Sequence, residues 1–178
     1  MANEIRMGFY KSISTGLRGS ASCPPMPALR HIAISWLGGC LAIAVIAYLT
    51  QLSHAHLMLG SFGASCVLLF GYPDSPFSQP RNVIAGHFIT SLVGLVFLTQ
   101  FGAQWWSVAL AVGTAIALMQ LTNTVHPPAG SNPVIVMLTM PSWDFLLTPT
   151  LYGALLLVLV AVVFNKMQKG RTYPKYWL

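Results

Sequence analysis

The run Asn123-Thr124-Val125-His126-Pro127-Pro128-Ala129-Gly130-Ser131-Asn132-Pro133 is polar and proline-rich, yet it stands between two apolar stretches. Its prolines bias Val125 to Pro127 away from helix, and Pro133 fits only the first turn of a helix that follows. The cluster therefore aims a helix N-terminus inward. Unpaired amides at such an end carry about +0.5 of an elementary charge, which suits a small anion without a full positive side chain. Ser131 adds a hydroxyl donor, and Gly63-Ala64-Ser65 offers a second turn of the same kind. The plainer alternative is that these residues only cap and pack short helices.

Arg81 is the single Lys or Arg between Arg30 and Lys166. A cation just before an apolar helix opposes the helix dipole, so it needs a compensating partner. Asp74 and a passing anion are the two candidates. His54, His56, His87 and His126 raise a metal or bis-histidine haem reading, but no carboxylate or cysteine stands beside them at a ligand spacing, and no metal is expected. For His126 the first expectation is a hydrogen bond that fixes the Pro-Pro turn, and the second is proton coupling. No nucleophile and base pairing indicates a hydrolase, so no enzyme activity is expected and no cofactor is called for. Asp144 is expected to cap the final apolar run.

The elements that position these residues follow from composition. Of the 178 residues 55% are hydrophobic and 7% charged, with a formal net charge of +6, against about 25% charged in a soluble domain. Between His31 and Asn165 only Asp74, Arg81 and Asp144 carry formal charge. Such a chain belongs in a bilayer, and its length suits one membrane domain over 30–178. Cys23, Cys40 and Cys66 stand singly and read as packing residues. Residues 1–29 differ: Ile5, Phe9, Ile13 and Leu17 recur every fourth position among basic residues. That pattern describes a basic amphipathic cytoplasmic segment on an anionic leaflet, or else a disordered basic tail.

Four apolar runs, His31 to Leu49, Val83 to Leu98, Trp105 to Leu121 and Phe145 to Phe164, are of spanning length or nearly so. Two shorter stretches, Leu57 to Phe70 and Ser131 to Met140, read as half-helices. The expected fold is all-α and polytopic, with four long transmembrane helices and two half-helices in two three-element repeats. Basic residues at both ends place both termini in the cytoplasm, so the crossings are four or six. Six crossings put Arg81 inside and make the repeats inverted. Gly86, Thr90 and Gly94, and again Ala109, Gly113 and Ala117, form small-residue stripes, read first as contacts inside the bundle, and a homo-oligomer is expected.

With these residues assembled, the chain resembles the HPP family of integral membrane proteins. The resemblance runs from about Pro27 to Leu178 and rests on His126-Pro127-Pro128-Ala129-Gly130, Phe62-Gly63-Ala64-Ser65, Gln79-Pro80-Arg81-Asn82-Val83 with Gly86-His87, and Tyr173-Pro174-Lys175-Tyr176-Trp177. Some cyanobacterial and plastid members are nitrite transporters, so the resemblance implies an anion substrate. It marks Gly63, Ser65, Arg81, His126, Pro127, Pro128 and Gly130, beside which the two turns add Ala64, Ala129 and Ser131. Asn132-Pro133 departs from the small or apolar residues expected there, which bears on the shape of that half-helix start. The reading is transport of a small monovalent anion, nitrite first, across the inner (plasma) membrane, with lipid and anion as partners and no nucleic acid. Substituting Ser131, Ser65 or Arg81 is expected to weaken flux. The rivals are a non-transporting membrane sensor or assembly module and, third, an intramembrane redox protein.

Overall fold

The computed structural model describes residues 22–177. Most of the amphipathic segment expected over 1–29 lies outside the described residues. The described chain is helical without a strand: α1 (Leu29–Ser53), α2 (Ser61–Cys66) widening into a π-type turn (Val67–Gly71), α3 (Pro80–Phe101), α4 (Trp105–Leu121), α5 (Asn132–Thr139) and α6 (Tyr152–Lys166). Short 3-10 turns stand at Pro76–Ser78, Pro127–Ser131 and Trp143–Leu146, the last leading through Leu147–Leu151 into α6.

Three stretches are long and apolar enough to cross a membrane: Leu29–Ser53, Pro80–Phe101 and Trp143–Lys166. The fourth expected span, α4, has 17 residues, about 26 Å of helix, slightly under the hydrocarbon thickness. Prolines set several boundaries. Pro80 opens α3 and Pro133 sits in the first turn of α5, where a missing N–H costs nothing. The last span is not the continuous helix expected from Phe145. Thr148 is extended (φ −128°, ψ 115°) before Pro149, because the proline ring crowds a helical neighbour. Regular helix begins at Tyr152, so Asp144 lies in the preceding 3-10 turn, within 3.4 Å of the Ser142 hydroxyl. It does not cap α6 as expected.

Apolar side chains fill two regions. One joins α1, α2 and α6 through Ala42, Ile46, Phe62, Phe70, Leu157 and Phe164, and the other joins α3, α4 and α5 through Val93, Ala111, Ala115 and Met137. Large apolar residues also face outward, among them Trp36, Leu110, Leu138 and Leu159, the opposite of a water-facing surface. Polar side chains lie inside instead. That inversion is what a lipid solvent selects, since hydrocarbon leaves no partner for an exposed polar group.

One end of the bundle is tied together by polar contacts. His31 Nε2 donates to Gly71 O (2.9 Å), Arg171 donates to His31 Nδ1 (3.0 Å) and to Asn165 Oδ1 (2.9 Å), and Arg81 donates to Thr122 O (3.0 Å). The start of α1, the end of Val67–Gly71, the start of α3 and the ends of α4 and α6 therefore meet here. Arg81 is thus partnered by the C-terminal carbonyl of α4, the negative end of that helix dipole. Asp74, the side chain expected to pair with it, binds Lys175 instead (2.8 Å).

The C-terminal segment straps this end. Tyr173 Oη donates to Ser78 O (2.8 Å), and the Lys175 amide donates to Gln79 Oε1 (2.7 Å). Burial pushes the Tyr173 phenol up. A raised folded pKa gives stability that is present below the ordinary phenol value and lost as pH rises through the folded one. In an absorbance titration, wild type and Tyr173→Phe are therefore expected to ionise the same number of tyrosines by about pH 11, since a free phenol titrates near pH 10. An additional wild-type phenolate at that pH would contradict the strap.

Candidate functional site: a buried His-Ser-His network between the starts of two short helices

Where α2 and α5 begin, their first residues touch: Ser61 Oγ donates to Asn132 Oδ1 at 2.8 Å. Asn132 turns its amide nitrogen toward α3, within 3.0 Å of His87 Nδ1, 3.2 Å of His87 O and 3.0 Å of Ser91 Oγ. Thr150, just before α6, donates to Ser91 Oγ (3.0 Å). On the other side of His87, its Nε2 lies 3.0 Å from Ser65 Oγ, which in turn lies 2.8 Å from His126 Nε2. His126 Nδ1 reaches Phe77 O at 2.7 Å. All these side chains other than Phe77's are buried. Along α3, a helix about 33 Å long, His87 and Ser91 stand about 10 and 16 Å from the start.

The donors can be placed. The Phe77 carbonyl only accepts, so His126 carries its proton on Nδ1 and presents a lone pair at Nε2. Ser65 has two acceptors in reach, Ser61 O at 3.2 Å and His126 Nε2 at 2.8 Å. It donates along the shorter path. The Asn132 NH2 group only donates, so His87 Nδ1 accepts and His87 Nε2–H points at Ser65. The chain then runs one way: Asn132 to His87 to Ser65 to His126 to Phe77 O. The rings of His87 and His126 meet edge-on at 5.0 Å, and Phe62 closes the far side of His87 at 5.1 Å. No charged side chain is hydrogen-bonded to the network.

Close backbone approach makes room for it. A Cβ on Gly86 would stand 2.8 Å from His126 Cβ and 3.2 Å from Thr124 O, and one on Gly94 would stand 3.0 Å from Pro133 Cα. The Gly86, Thr90, Gly94 stripe is thus an internal contact, between α3 and the segment Thr124–Val136. Gly86→Ala is expected to destabilise the fold by about 1–3 kcal/mol, the usual cost of overpacking a filled interior. Thermal unfolding in detergent checks it. An unchanged midpoint would mean the contact is looser than it stands here.

The motif residues divide between this interior and other surroundings. Ser65 and His126 are in the network; Pro128 and Ala129 are buried in the 3-10 turn behind it, while Gly130 is half-buried. Gly63, Ala64, Pro127 and Ser131 are exposed, and the Ser131 hydroxyl donates back to Pro128 O (2.8 Å). Arg81 stands at the tied end. The residues that the motifs did not single out as site members are Ser61, His87, Ser91, Asn132 and Thr150. Their signal was present, since polar side chains inside apolar spans are costly unless they face one another. Among the described residues no three His, Cys, Asp or Glu side chains gather as metal ligands would.

At the end opposite the strap, a cleft of about 600 Å³ is lined by His56, Leu59, Gly60, Thr139, Asp144 and Pro149 among others. Its lining includes Gly60 and Pro149, whose next residues, Ser61 and Thr150, are buried members of the network.

The family model described as HPP, transmembrane region, matches residues 24–174, almost the whole described chain. The chain belongs to the HPP transmembrane family. Two transmembrane proteins of Dictyostelium discoideum are related to it, at 42% identity over 95% of this chain and 36% identity over 90%. The chain spans 62% of the first relative's length and 55% of the second's. No solved structure matches it. In this HPP protein the triplet His126-Pro127-Pro128 has a physical role. The prolines hold the 3-10 turn Pro127–Ser131 that delivers Asn132 to the start of α5, and the histidine bridges Ser65 and Phe77.

Proposed function

We propose that this protein carries a small monovalent anion, nitrite first, across the plasma membrane, and that it is a transporter rather than an enzyme. The observation that carries this reading is the meeting of Ser61 and Asn132 at the starts of two half-helices, inside a cluster rich in N–H and O–H groups. Hydroxyl, amide and imidazole donors suit an anion, whereas a cation would call for carboxylates, and none joins the cluster. In this proposal the anion approaches from the cleft whose lining includes Gly60 and Pro149, the chain neighbours of Ser61 and Thr150.

In this proposal the chain crosses six times as two inverted repeats: α1, the segment through Ser61–Gly71 and α3, then α4, the segment through α5 and the run Trp143–Lys166. The end-to-end contacts at the strapped end support that alternation, and the basic C-terminal residues favour the cytoplasmic side for this end. Ala109, Gly113 and Ala117 line an exposed face of α4, which favours a second copy of the chain packing there.

Uptake of nitrite into proteoliposomes holding the purified protein, with nitrate and formate as competitors, tests the reading. Saturable uptake above protein-free vesicles supports it. A sealed protein that passes none of the three anions would shift the assignment to a membrane sensor or assembly module.

A further inference from the structure

We infer that this protein moves one proton with each monovalent anion, with His87 as the anion's counter-charge and Ser65 and His126 as the path by which the proton goes on. The inference rests on the anion-transport reading above and deepens it. An anion at the level of Ser61 and Asn132 sits in a medium of low dielectric, where an unpaired charge is strongly disfavoured. No Lys or Arg is hydrogen-bonded to this cluster: Arg81 is held at the Thr122 carbonyl and Arg171 at Asn165 and His31. The bases inside it are His87 and His126. Imidazole is the one side chain whose ordinary pKa puts its charge change between pH 5 and 8.

The hydrogen bonds describe how anion and proton are linked. Asn132 now donates to His87 Nδ1 and thereby occupies the lone pair that a proton would need. An anion that accepts the Asn132 and Ser61 donors draws that N–H away and frees Nδ1. A proton from water that enters with the anion then binds Nδ1, and the resulting imidazolium pairs with the anion, so the loaded site is neutral. To move on, His87 passes its Nε2 proton to Ser65 Oγ while the Ser65 proton passes to His126 Nε2. The only bonds made and broken are N–H and O–H bonds, and His87 is left neutral with its proton on Nδ1. His126, protonated at both nitrogens, releases its Nδ1 proton to water at the strapped end; the Phe77 carbonyl, which now accepts a hydrogen bond from that N–H, marks the exit.

The groups packed on these two rings agree with that role. His87 faces Phe62, Ser65, Asn132 and His126, and His126 faces Gly86, Ser65, His87 and the Phe77 carbonyl. Apart from each other, none of these neighbours is titratable near neutral pH. Two imidazoles joined through one hydroxyl have the connectivity that a relayed proton requires.

Proteoliposomes of the full chain, loaded with a pH-sensitive dye, test this with nitrite and nitrate as probes. Protein-free vesicles subtract the passage of free nitrous acid, and nitrate has no such leak. The expected result is a ratio of one proton per anion and an uptake rate that an imposed potassium diffusion potential changes by less than about twofold, because a neutral pair does no work against the potential. Anion uptake without proton movement, accelerated or slowed by the potential, would overturn the coupling and leave the anion-transport reading standing. No uptake of either anion would overturn both.

Discussion

Ser65→Ala is expected to lower anion uptake at least about tenfold, since raising a barrier by only about 1.4 kcal/mol has that effect. The hydroxyl is the one group that joins the two histidines, accepting from His87 and donating to His126. Removing it leaves a buried N–H on one ring and a buried lone pair on the other. Each such orphan costs about 1–3 kcal/mol, so unfolding in detergent is expected to shift by about 2 kcal/mol as well, with some of the loss recovered by relaxation. The two readouts separate the roles. If stability falls while uptake per folded molecule stays at the wild-type level, Ser65 is a clasp and the path runs elsewhere. Helix content and elution position, unchanged, establish that the variant is folded.

The helices and their order were legible because lipid leaves so few alternatives. A run such as Trp105 to Leu121 has no partner for its backbone except itself, so apolar length alone dictates helix. The boundaries at Pro80 and Pro133 were legible for an equally local reason, a proline that fits only a first turn. Local chemistry also signalled the break that a simple count of apolar residues passes over. Thr148-Pro149 sits inside the last run, and the residue before a proline is driven out of helix.

Partners distant in sequence were not legible. Arg81 needed compensation, but the carbonyl that supplies it is Thr122, reached only because α3 and α4 lie side by side. His87 and Ser91 are one helical turn apart and so share a face, yet nothing local says that this face meets Asn132 and not lipid. Ser131 and Asn132 illustrate the same limit at its smallest scale. Successive residues of a helix point about 100° apart, so the small change of phase set by the turn Pro127–Ser131 decides which of them faces inward. It is Asn132; Ser131 closes onto its own turn.

That difference sets the second large effect. Asn132→Ala is expected to cost about 3 kcal/mol or more, because it strips partners from Ser61 Oγ, His87 Nδ1, His87 O and Ser91 Oγ together, all of them buried. Anion uptake should be lost with it. Asn132→Asp distinguishes packing from donor chemistry: it keeps the shape but replaces the NH2 group with an oxygen that accepts, and once ionised repels an anion. Uptake is therefore expected to be abolished in the Asp variant too, even where its folded fraction is preserved. Ser131→Val, by contrast, touches an exposed hydroxyl bonded to Pro128 O, and stability should stay within about 0.5 kcal/mol, the usual range for a surface change. Uptake and thermal unfolding measured on the three variants side by side decide the matter. Should Ser131→Val stop transport while both Asn132 variants retain it, the anion passes over the exposed face of the HPP turn and not through the buried meeting of α2 and α5.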